Sequence, residues 1–243
     1  MKKLSLLAFC LFSCAVVAQA PYRLSWAGDA PTVGVGLTYA AVSHFAWKPA
    51  PLTEAQLLAQ VQTTADINPI DRPVISNYNH AAANVSDVLL YASVAAPLLL
   101  LTDDDIRKGD NPAIIGSMYA ETILINYAVT DAFKKSVLRS RPYTYNPNVP
   151  ISEREDVDGR YSFFSGHTSQ AAASSFFAAQ VFNDYHPNSP LLPYVWGVAA
   201  LLPAATAFER VQAGKHFPTD VLVGYLVGAA IGVIVPRLHR INR

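Results

Sequence analysis

The sequence predicts an all-α protein, a bundle of about five to six apolar helices. Of its 243 residues, 51% are hydrophobic and only 15% are charged, a charged fraction below the quarter that is usual for soluble domains. From residue 86 onward, long apolar runs alternate with short polar segments that contain Gly, Asn or Pro, which is typical of helices and their connections. Strictly alternating runs of β-branched residues, the pattern of half-buried strands, are missing from this part of the sequence.

The first twenty residues have the pattern of an export signal. Two lysines precede an apolar run over residues 4–17, and small residues follow at Ala18 and Ala20. Both cysteines of the chain, Cys10 and Cys14, lie inside this segment. We therefore expect residues 1–20 to be a signal peptide, and cleavage at Ala18 or Ala20 to leave a chain without thiols, disulfides or cysteine metal ligands.

Residues 21–85 are expected to form an N-terminal extension of mixed character. The apolar alternation over 33–39 fits a short strand, whereas residues 40–47 fit a helix equally well. Thr53 and Gln56 form a capping-box pattern that predicts a helix to about residue 65. The pairs Asn-Pro and Arg-Pro over 68–73 then indicate a loop.

Residues 86–243 are expected to form the main domain. Its helices are predicted near 87–101, 113–133, 166–183, 191–208 and 219–236, with a long polar segment over 141–161. A membrane span needs about 20 apolar residues, and several of these runs reach only 14 to 18. The apolar composition favours a membrane-embedded bundle, and a soluble periplasmic bundle is the alternative.

Topology gives an expected orientation. If the chain enters the membrane from outside and the five late helices all span, segments 134–165 and 209–218 face the periplasm. The basic tail over 237–243 then lies inside, as the positive-inside tendency favours. An additional span at 31–47 would invert this arrangement. We expect an inner-membrane protein with these segments in the periplasm, or else a periplasmic protein.

His216 and Asp220 are four residues apart at the start of a predicted helix, with Pro218 in its first turn. Side chains with this spacing share one helical face. A carboxylate bonded to one ring nitrogen fixes the histidine tautomer and leaves the other lone pair free to attack an electrophile. An ordinary surface His–Asp pair is the alternative for the pattern taken alone.

Ser165, Gly166 and His167 come just before an alanine-rich helical stretch. Serine is a favourable N-cap residue, and a helix N-terminus with free amides binds anions. His167 would then lie close enough to a bound oxyanion to protonate a leaving alkoxide. A simple serine cap followed by a partly exposed histidine is the alternative here.

Three cations complete the candidate site. Lys134, Arg141 and Arg210 could neutralise phosphoryl oxygens, the arginines through two hydrogen bonds each and the lysine as a point charge. Lys135 and Arg139 are interpreted as cations at a helix end. Because the formal net charge of the chain is zero, no nucleic-acid partner is expected.

The combined spacing is specific. Lys134-x6-Arg141-Pro142, then Ser165-Gly166-His167, then Arg210-x5-His216-x3-Asp220 resembles the three-part signature of the type 2 phosphatidic acid phosphatase family. Bacterial acid phosphatases and vanadium haloperoxidases share this signature. The resemblance covers roughly residues 85–238, and it implies a phosphatase whose substrate is a phosphorylated lipid or a small phosphomonoester.

The resemblance also implies a role for each matched residue. His216 would be the nucleophile that forms a phosphohistidine, Asp220 its orienting partner, and His167 the general acid that later activates water. The phosphate-binding positions would be Lys134, Arg141, Ser165, Gly166 and Arg210. No metal and no other cofactor is implied, because cationic side chains neutralise the phosphate.

Two residues depart from the family pattern. Phe164 replaces the usual proline before Ser-Gly-His, and Glu209 replaces the usual serine before the arginine. The expected function is hydrolysis of a lipid phosphate or lipid pyrophosphate at the periplasmic face. The alternatives are a soluble periplasmic acid phosphatase of broad specificity, a vanadate-dependent haloperoxidase, and a membrane scaffold without activity.

Overall fold

The computed structural model describes residues 21–45, 48–108 and 111–241, and the regular structure in these residues is helical apart from one isolated β-bridge. The predicted signal peptide and both cysteines lie outside the described residues. The prediction of an all-α bundle is confirmed. The helices are α1 Trp26–Phe45, α2 Glu54–Gln62, α3 His80–Ala95, α4 Asn111–Val137, α5 Ile151–Arg154, α6 Gly166–Tyr185, α7 Leu192–Gln212 and α8 Pro218–Leu238. Short 3₁₀ segments lie at Thr64–Asp66, Arg72–Ser76, Ala96–Thr102, Pro142–Tyr145 and Val157–Arg160.

Local capping signals fix the starts of several helices. The predicted capping box of α2 is present: the Thr53 hydroxyl accepts from Gln56 N at 3.3 Å, and the Gln56 side chain accepts from Thr53 N at 3.0 Å. The predicted cap of α6 is also present, with Ser165 as its N-cap residue. The helix α8 begins at Pro218, as predicted from the preference of proline for the first helical turn.

The structure differs from the predicted boundaries at two helices. Residues 26–45 form one helix, so the alternating run over 33–39 is not a strand. The helix α3 begins at His80, seven residues before the predicted start, because Asn79 caps it by accepting from Ala82 N at 3.2 Å. The expected domain boundary at residue 85 therefore falls inside α3.

Three glycines set the approach of α8 to the central helix α6. Gly224, Gly228 and Gly232 recur every four residues, so they line one face of α8. A methyl group on Gly228 would stand 2.0 Å from Ser169 O, and one on Gly232 would stand 2.4 Å from Ala173 O. Only glycine permits this close backbone contact, which is a common device of packed membrane helices.

The helical bundle has two ends, which we call the motif end and the tail end. The motif end contains loops 138–165 and 213–217, and the tail end contains residues 21–25 and 239–241. The helix α1 runs between them alongside α4. At the tail end Tyr22 forms a β-bridge with Arg240. At the motif end Ser43 O accepts from Lys135 Nζ at 2.8 Å.

Three helical segments are long and apolar enough to cross a membrane: His80–Thr102, Leu192–Gln212 and Pro218–Leu238. Their outer faces carry large apolar side chains that the protein leaves uncovered. Tyr91, Leu99 and Leu201 are each 70% exposed. A surface of this kind is unusual for a soluble monomer and is typical of contact with lipid or another protein.

Candidate active site

His216 lies in the loop between α7 and α8 and is 1% exposed. Its Nδ1 lies 2.7 Å from the carbonyl oxygen of Ser162. A carbonyl can only accept, so Nδ1 carries the proton and Nε2 carries a free lone pair. Burial, followed by the charges of Arg141, Arg210 and Lys134, lowers the pKa of His216 well below its ordinary value of 6.5. The imidazole is therefore neutral at neutral pH, as a nucleophile must be.

Asp220 acts on His216 through Ser162 rather than by the direct hydrogen bond expected from the sequence. Its Oδ2 is 3.9 Å from His216 Nδ1, which is too far for a hydrogen bond. The same oxygen accepts from Ser162 Oγ at 2.5 Å and from Phe217 N at 2.9 Å. Asp220 thus holds the residue whose carbonyl orients the imidazole, and Ser162 is a positioning residue that the sequence did not reveal.

Arg139 joins Asp220 to a second buried carboxylate, Asp71. Its Nη1 donates to Asp220 Oδ1, and its Nη2 donates to Asp71 Oδ2 at 2.7 Å. Both carboxylates have fully buried side chains, whereas that of Arg139 is 24% exposed. Asp71 also accepts from Thr219 N at 3.0 Å, in the first turn of α8. The interpretation of Arg139 as a helix-end cation was wrong, since it neutralises the buried carboxylates of Asp71 and Asp220.

Lys135 agrees with the helix-end interpretation. Its Nζ is 3.1 Å from the carboxylate of Asp131, one turn earlier on α4, and it contacts Ser43 of α1. These contacts join α4 to α1 and do not include any of the motif residues.

His167 lies in the first turn of α6 and faces α3. Its Nε2 is 2.8 Å from Asp87 Oδ1. The two side chains are 32% and 45% exposed respectively, so this pair lies at the mouth of the site. Burial and the charge of Arg210 lower the pKa of His167 to about 4, and the carboxylate of Asp87 only partly offsets them. Asp87 is a second positioning residue that the sequence did not reveal.

Ser165 and Gly166 form the N-terminus of α6 beside Lys134. The Ser165 backbone N donates to Asp220 O at 3.1 Å, which fixes the start of α6 against the start of α8. A methyl group on Gly166 would stand 3.6 Å from Lys134 Nζ. The ammonium group therefore lies directly against the free amides of the first helical turn, where both favour an anion.

Arg141 is 3% exposed and is held by the loop over 157–160. Its Nε donates to Asp158 O at 2.9 Å, and its Nη2 donates to Asp158 Oδ1 at 2.8 Å. Its Nη1 contacts the carbonyl oxygen of Lys215 at 3.4 Å, next to His216 in the chain. Burial acts to raise the pKa of Asp158, but Arg141 and Lys134 outweigh it and hold this pKa below its ordinary value.

Arg210 is also buried, at 6% exposed, and its guanidinium is incompletely paired. Its Nη1 donates to Ser86 Oγ at 3.3 Å and lies 3.7 Å from Asp87 Oδ1. Among the described residues its Nε has no hydrogen-bond partner. A buried donor without a partner carries a free-energy cost, which a bound oxyanion would remove.

Lys215 is a fourth cation at the site that the sequence analysis did not single out. Burial lowers its pKa, and the charges of Arg141 and Arg210 lower it further. Its Nζ lies 4.6 Å from the centre of the Tyr143 ring. Because these cations repel one another, the site holds positive charge that an anionic ligand would neutralise.

The two departures from the family pattern occupy different surroundings. Phe164 is fully buried and packs against Phe133, with ring centres 5.5 Å apart. It fills space between α4 and the start of α6. Glu209 forms no side-chain hydrogen bond or ion pair with Arg210 or any other residue in the part of the chain that the structure describes.

The structure thus brings the three motifs together at the motif end. Comparison with known families adds to this geometry, because the sequence profile of the PAP2 superfamily matches residues 116–243. The chain belongs to the PAP2 superfamily. The resemblance to type 2 phosphatidic acid phosphatases is confirmed. The match covers α4 from residue 116 onward and all of α6–α8, which carry or flank every predicted site residue.

Several PAP2 proteins and phosphatases are similar to this chain. A lipid A 4'-phosphatase of Porphyromonas gingivalis is 27% identical over 130 residues, which are 52% of this chain and 51% of that protein. A decaprenylphosphoryl-5-phosphoribose phosphatase of Mycobacterium tuberculosis is 29% identical over 111 residues, which are 46% of this chain and 54% of that protein. The chain spans about half the length of the curated relatives it matches.

Among solved structures, the transmembrane PAP2-type phosphatidylglycerolphosphate phosphatase from Bacillus subtilis aligns with 86% of this chain and 94% of its own. The TM-score is 0.48 and the sequence identity is 20%.

Proposed function

We propose that the protein is a membrane-embedded phosphatase that hydrolyses a lipid phosphate or lipid pyrophosphate through a phosphohistidine on His216. The observation that carries the proposal is the state of this imidazole. It is buried and neutral, its Nδ1 proton is fixed by Ser162, and its Nε2 lone pair is free beside a group of cations. A neutral imidazole beside unneutralised positive charge is suited to attack on an anionic phosphorus centre.

In the first step, the Nε2 lone pair of His216 forms a bond to phosphorus while the bond to the leaving oxygen breaks. His167 donates a proton to that oxygen. Burial and Arg210 lower the pKa of the free imidazole to about 4, and the negative charge of the bound phosphate acts together with Asp87 to favour the protonated form that this step requires. Positive charge develops on the His216 ring as the N–P bond forms. The carboxylate of Asp220, 3.9 Å from the ring nitrogen, offsets part of it.

In the second step, the neutral His167 accepts a proton from water, whose oxygen attacks phosphorus. The N–P bond breaks, its electron pair returns to Nε2 of His216, and inorganic phosphate is released. Arg141, Arg210 and Lys134 neutralise the phosphoryl oxygens in both steps. Charge stabilisation by such preorganised donors is commonly the largest catalytic contribution.

The relatives and the bundle surface support a lipid substrate. The two curated relatives are named for phosphates carried on lipid A and on a decaprenyl chain. The three apolar helical segments and their exposed side chains support placement in a bilayer. A site at one end of such a bundle lies at the depth of lipid head groups.

We propose that the motif end faces the periplasm, with the basic tail, including Arg237 and Arg240, on the cytoplasmic side. Because α1 runs the length of the bundle and Tyr22 pairs with Arg240, residue 21 then also lies on the cytoplasmic side. This orientation excludes cleavage of residues 1–20 at the periplasmic face, because residue 21 lies on the cytoplasmic side. A cleaved signal would place residue 21 in the periplasm, and it would favour either the inverted orientation or the soluble periplasmic acid phosphatase.

Phosphohistidine trapping tests the mechanism. The full chain in detergent is mixed with a radiolabelled lipid phosphate and quenched; a label that is stable in base and lost in acid is expected on the wild type. The label and turnover should both be lost in His216→Ala. His186→Ala is the matched control, because His186 also pairs with a carboxylate, Asp103 at 2.8 Å, but at the tail end. Turnover that persists in His216→Ala would refute the mechanism.

Substrate and location are tested separately. The same preparation is assayed against lipid phosphates, lipid pyrophosphates and soluble phosphomonoesters by released phosphate. We expect activity in the membrane fraction and a preference for the lipids. Recovery of the activity in osmotic-shock fluid, with equal rates on soluble esters, would favour the soluble acid phosphatase.

Orientation is tested with introduced cysteines at exposed positions. In a variant with Cys10 and Cys14 replaced by serine, Asn148→Cys marks the motif end and Asn188→Cys marks the loop between α6 and α7 at the tail end. A membrane-impermeant maleimide should label only the Asn148→Cys variant in cells with a permeabilised outer membrane. Labelling of only the Asn188→Cys variant would place the motif end in the cytoplasm.

A further inference from the structure

A second cluster of titratable side chains lies at the tail end, away from the candidate active site. It joins Asp29 in the first turn of α1, Glu121 in α4 and His239 at the end of α8. His239 Nε2 is 3.2 Å from Asp29 Oδ1 and 3.3 Å from Glu121 Oε2. Along α8, about 20 residues and therefore about 30 Å separate this cluster from the nucleophile.

Two groups of the cluster are buried without hydrogen-bond partners. Glu121 is 3% exposed and His239 is 8% exposed. Within the described part of the chain, Glu121 Oε1 and His239 Nε2 form no hydrogen bond. Buried polar groups are normally paired, because an unpaired one carries a cost of about 1–3 kcal/mol. These two therefore indicate a ligand.

The tautomer of His239 shows which kind of ligand fits. Its Nδ1 lies 2.8 Å from Val235 O, a carbonyl that can only accept. In the neutral ring the proton is therefore on Nδ1, and the Nε2 lone pair faces two carboxylate oxygens. Three groups rich in electrons and directed at one point repel one another unless a cation lies between them.

The two distances from His239 match the edges of a tetrahedral metal site, and all three ligand atoms lie within 4.8 Å of one another. Metal–ligand bonds of about 2.0–2.1 Å, typical of zinc bound by histidine and carboxylate, give tetrahedron edges of about 3.3 Å. The observed separations of 3.2 Å and 3.3 Å from His239 Nε2 equal this edge. The hydrogen bond from Nδ1 to a main-chain carbonyl is the usual support of a metal-binding histidine.

We propose that Asp29, Glu121 and His239 bind one divalent metal ion, zinc by chemical preference, with water as the fourth ligand. The ion joins three helices that are distant in sequence. The neighbouring backbone already pairs the two ends of the described chain, through Arg23 N to His239 O at 3.1 Å and Ile241 N to Pro21 O at 2.9 Å. The metal would stabilise this junction and is separate from the phosphatase chemistry.

Metal content of the full chain tests the site. The protein is purified without a polyhistidine tag and without chelator, and its metals are measured by mass spectrometry. We expect about one zinc per chain in the wild type and less than a tenth of that in Glu121→Gln and His239→Gln. The control His186→Gln should keep its zinc, since His186 faces a single carboxylate. Equal zinc in all four proteins would overturn the proposal.

The wild type alone provides a second measurement if the variants do not fold. Removal of metal by a chelator should lower the melting temperature, and zinc should restore it. Cobalt added to the metal-free protein should give the intense visible absorption of a tetrahedral site. If the wild type contains no metal and neither ion changes its melting temperature or spectrum, a protonated His239 between two carboxylates explains the cluster instead.

Discussion

Replacement of Gly228 by alanine should separate the two helices that carry the candidate active site. A methyl group there would stand 2.0 Å from Ser169 O of α6, whereas ordinary contacts begin near 3.4 Å. The difference of 1.4 Å cannot be absorbed by a side-chain rotation, because the obstructing atom belongs to the backbone. The helices α8 and α6 must therefore move apart or tilt.

The size of the effect follows from two opposing contributions. Overpacking a tight contact costs typically 1–3 kcal/mol and sometimes more, while glycine to alanine inside a helix gains up to about 1 kcal/mol. We expect a net loss of about 2 kcal/mol for Gly228→Ala. For a chain of this size the loss corresponds to a fall of roughly 4–8 °C in melting temperature. Turnover should fall too, since α6 and α8 position His167 and Asp220.

Thermal unfolding of the purified protein in detergent, with phosphate release as a second readout, provides the assay. Gly197→Ala is the matched control, because a methyl group at Gly197 of α7 meets no atom within 4 Å. This variant should be as stable as the wild type or up to about 1 kcal/mol more stable. If both variants melt within about 1 °C of the wild type, the glycine contact does not set the distance between the helices.

Three further predictions concern the site. Arg139→Gln removes the cation that Asp71 and Asp220 share, so we expect a loss of about 3 kcal/mol in stability and a lower kcat with little change in KM; an unchanged kcat would contradict its positioning role. His167→Ala should slow alkyl phosphates far more than aryl phosphates, because good leaving groups need little protonation; equal losses would contradict the assigned acid. Burial and nearby cations hold the pKa of His216 well below 6.5, so the unfolded chain binds more protons than the folded one below pH 6.5. Stability should therefore fall as the pH decreases from about 7 to about 5, and His216→Asn should flatten that fall; parallel curves would argue against a neutral His216.

The sequence predicted the parts of the fold that depend on neighbouring residues. The starts of α2, α6 and α8 follow from Thr53, Ser165 and Pro218, whose effects extend over three or four positions. The start of α3 was missed although Asn79 carries the same kind of signal. The apolar run from 87 to 101 predicts only part of this helix, because the residues before it are more polar.

The residues that support the site could not be predicted from short-range sequence patterns. Ser162 contacts Asp220 across 58 positions, His167 contacts Asp87 across 80, and Thr219 contacts Asp71 across 148. No periodicity connects residues so far apart, and a single aspartate in a loop or on a helix resembles any solvated carboxylate. Their roles follow only from the packing that brings α3 and the 68–76 loop against α6 and α8.

His216 and His239 form the same kind of contact with the backbone, but the charges around the two rings are opposite. His216 and His239 both direct Nδ1 at a main-chain carbonyl, at 2.7 Å and 2.8 Å, and so both leave the Nε2 lone pair free. Around His216 the charges of Arg141, Arg210 and Lys134 act together with burial to disfavour a proton on the ring, and these cations favour an anion in front of it. Around His239 the neighbours are the carboxylates of Asp29 and Glu121, which favour a cation. In both proposals the neutral ring is a donor of electrons, and the sign of the surrounding charge distinguishes the proposed phosphorus electrophile at the motif end from the proposed metal ion at the tail end.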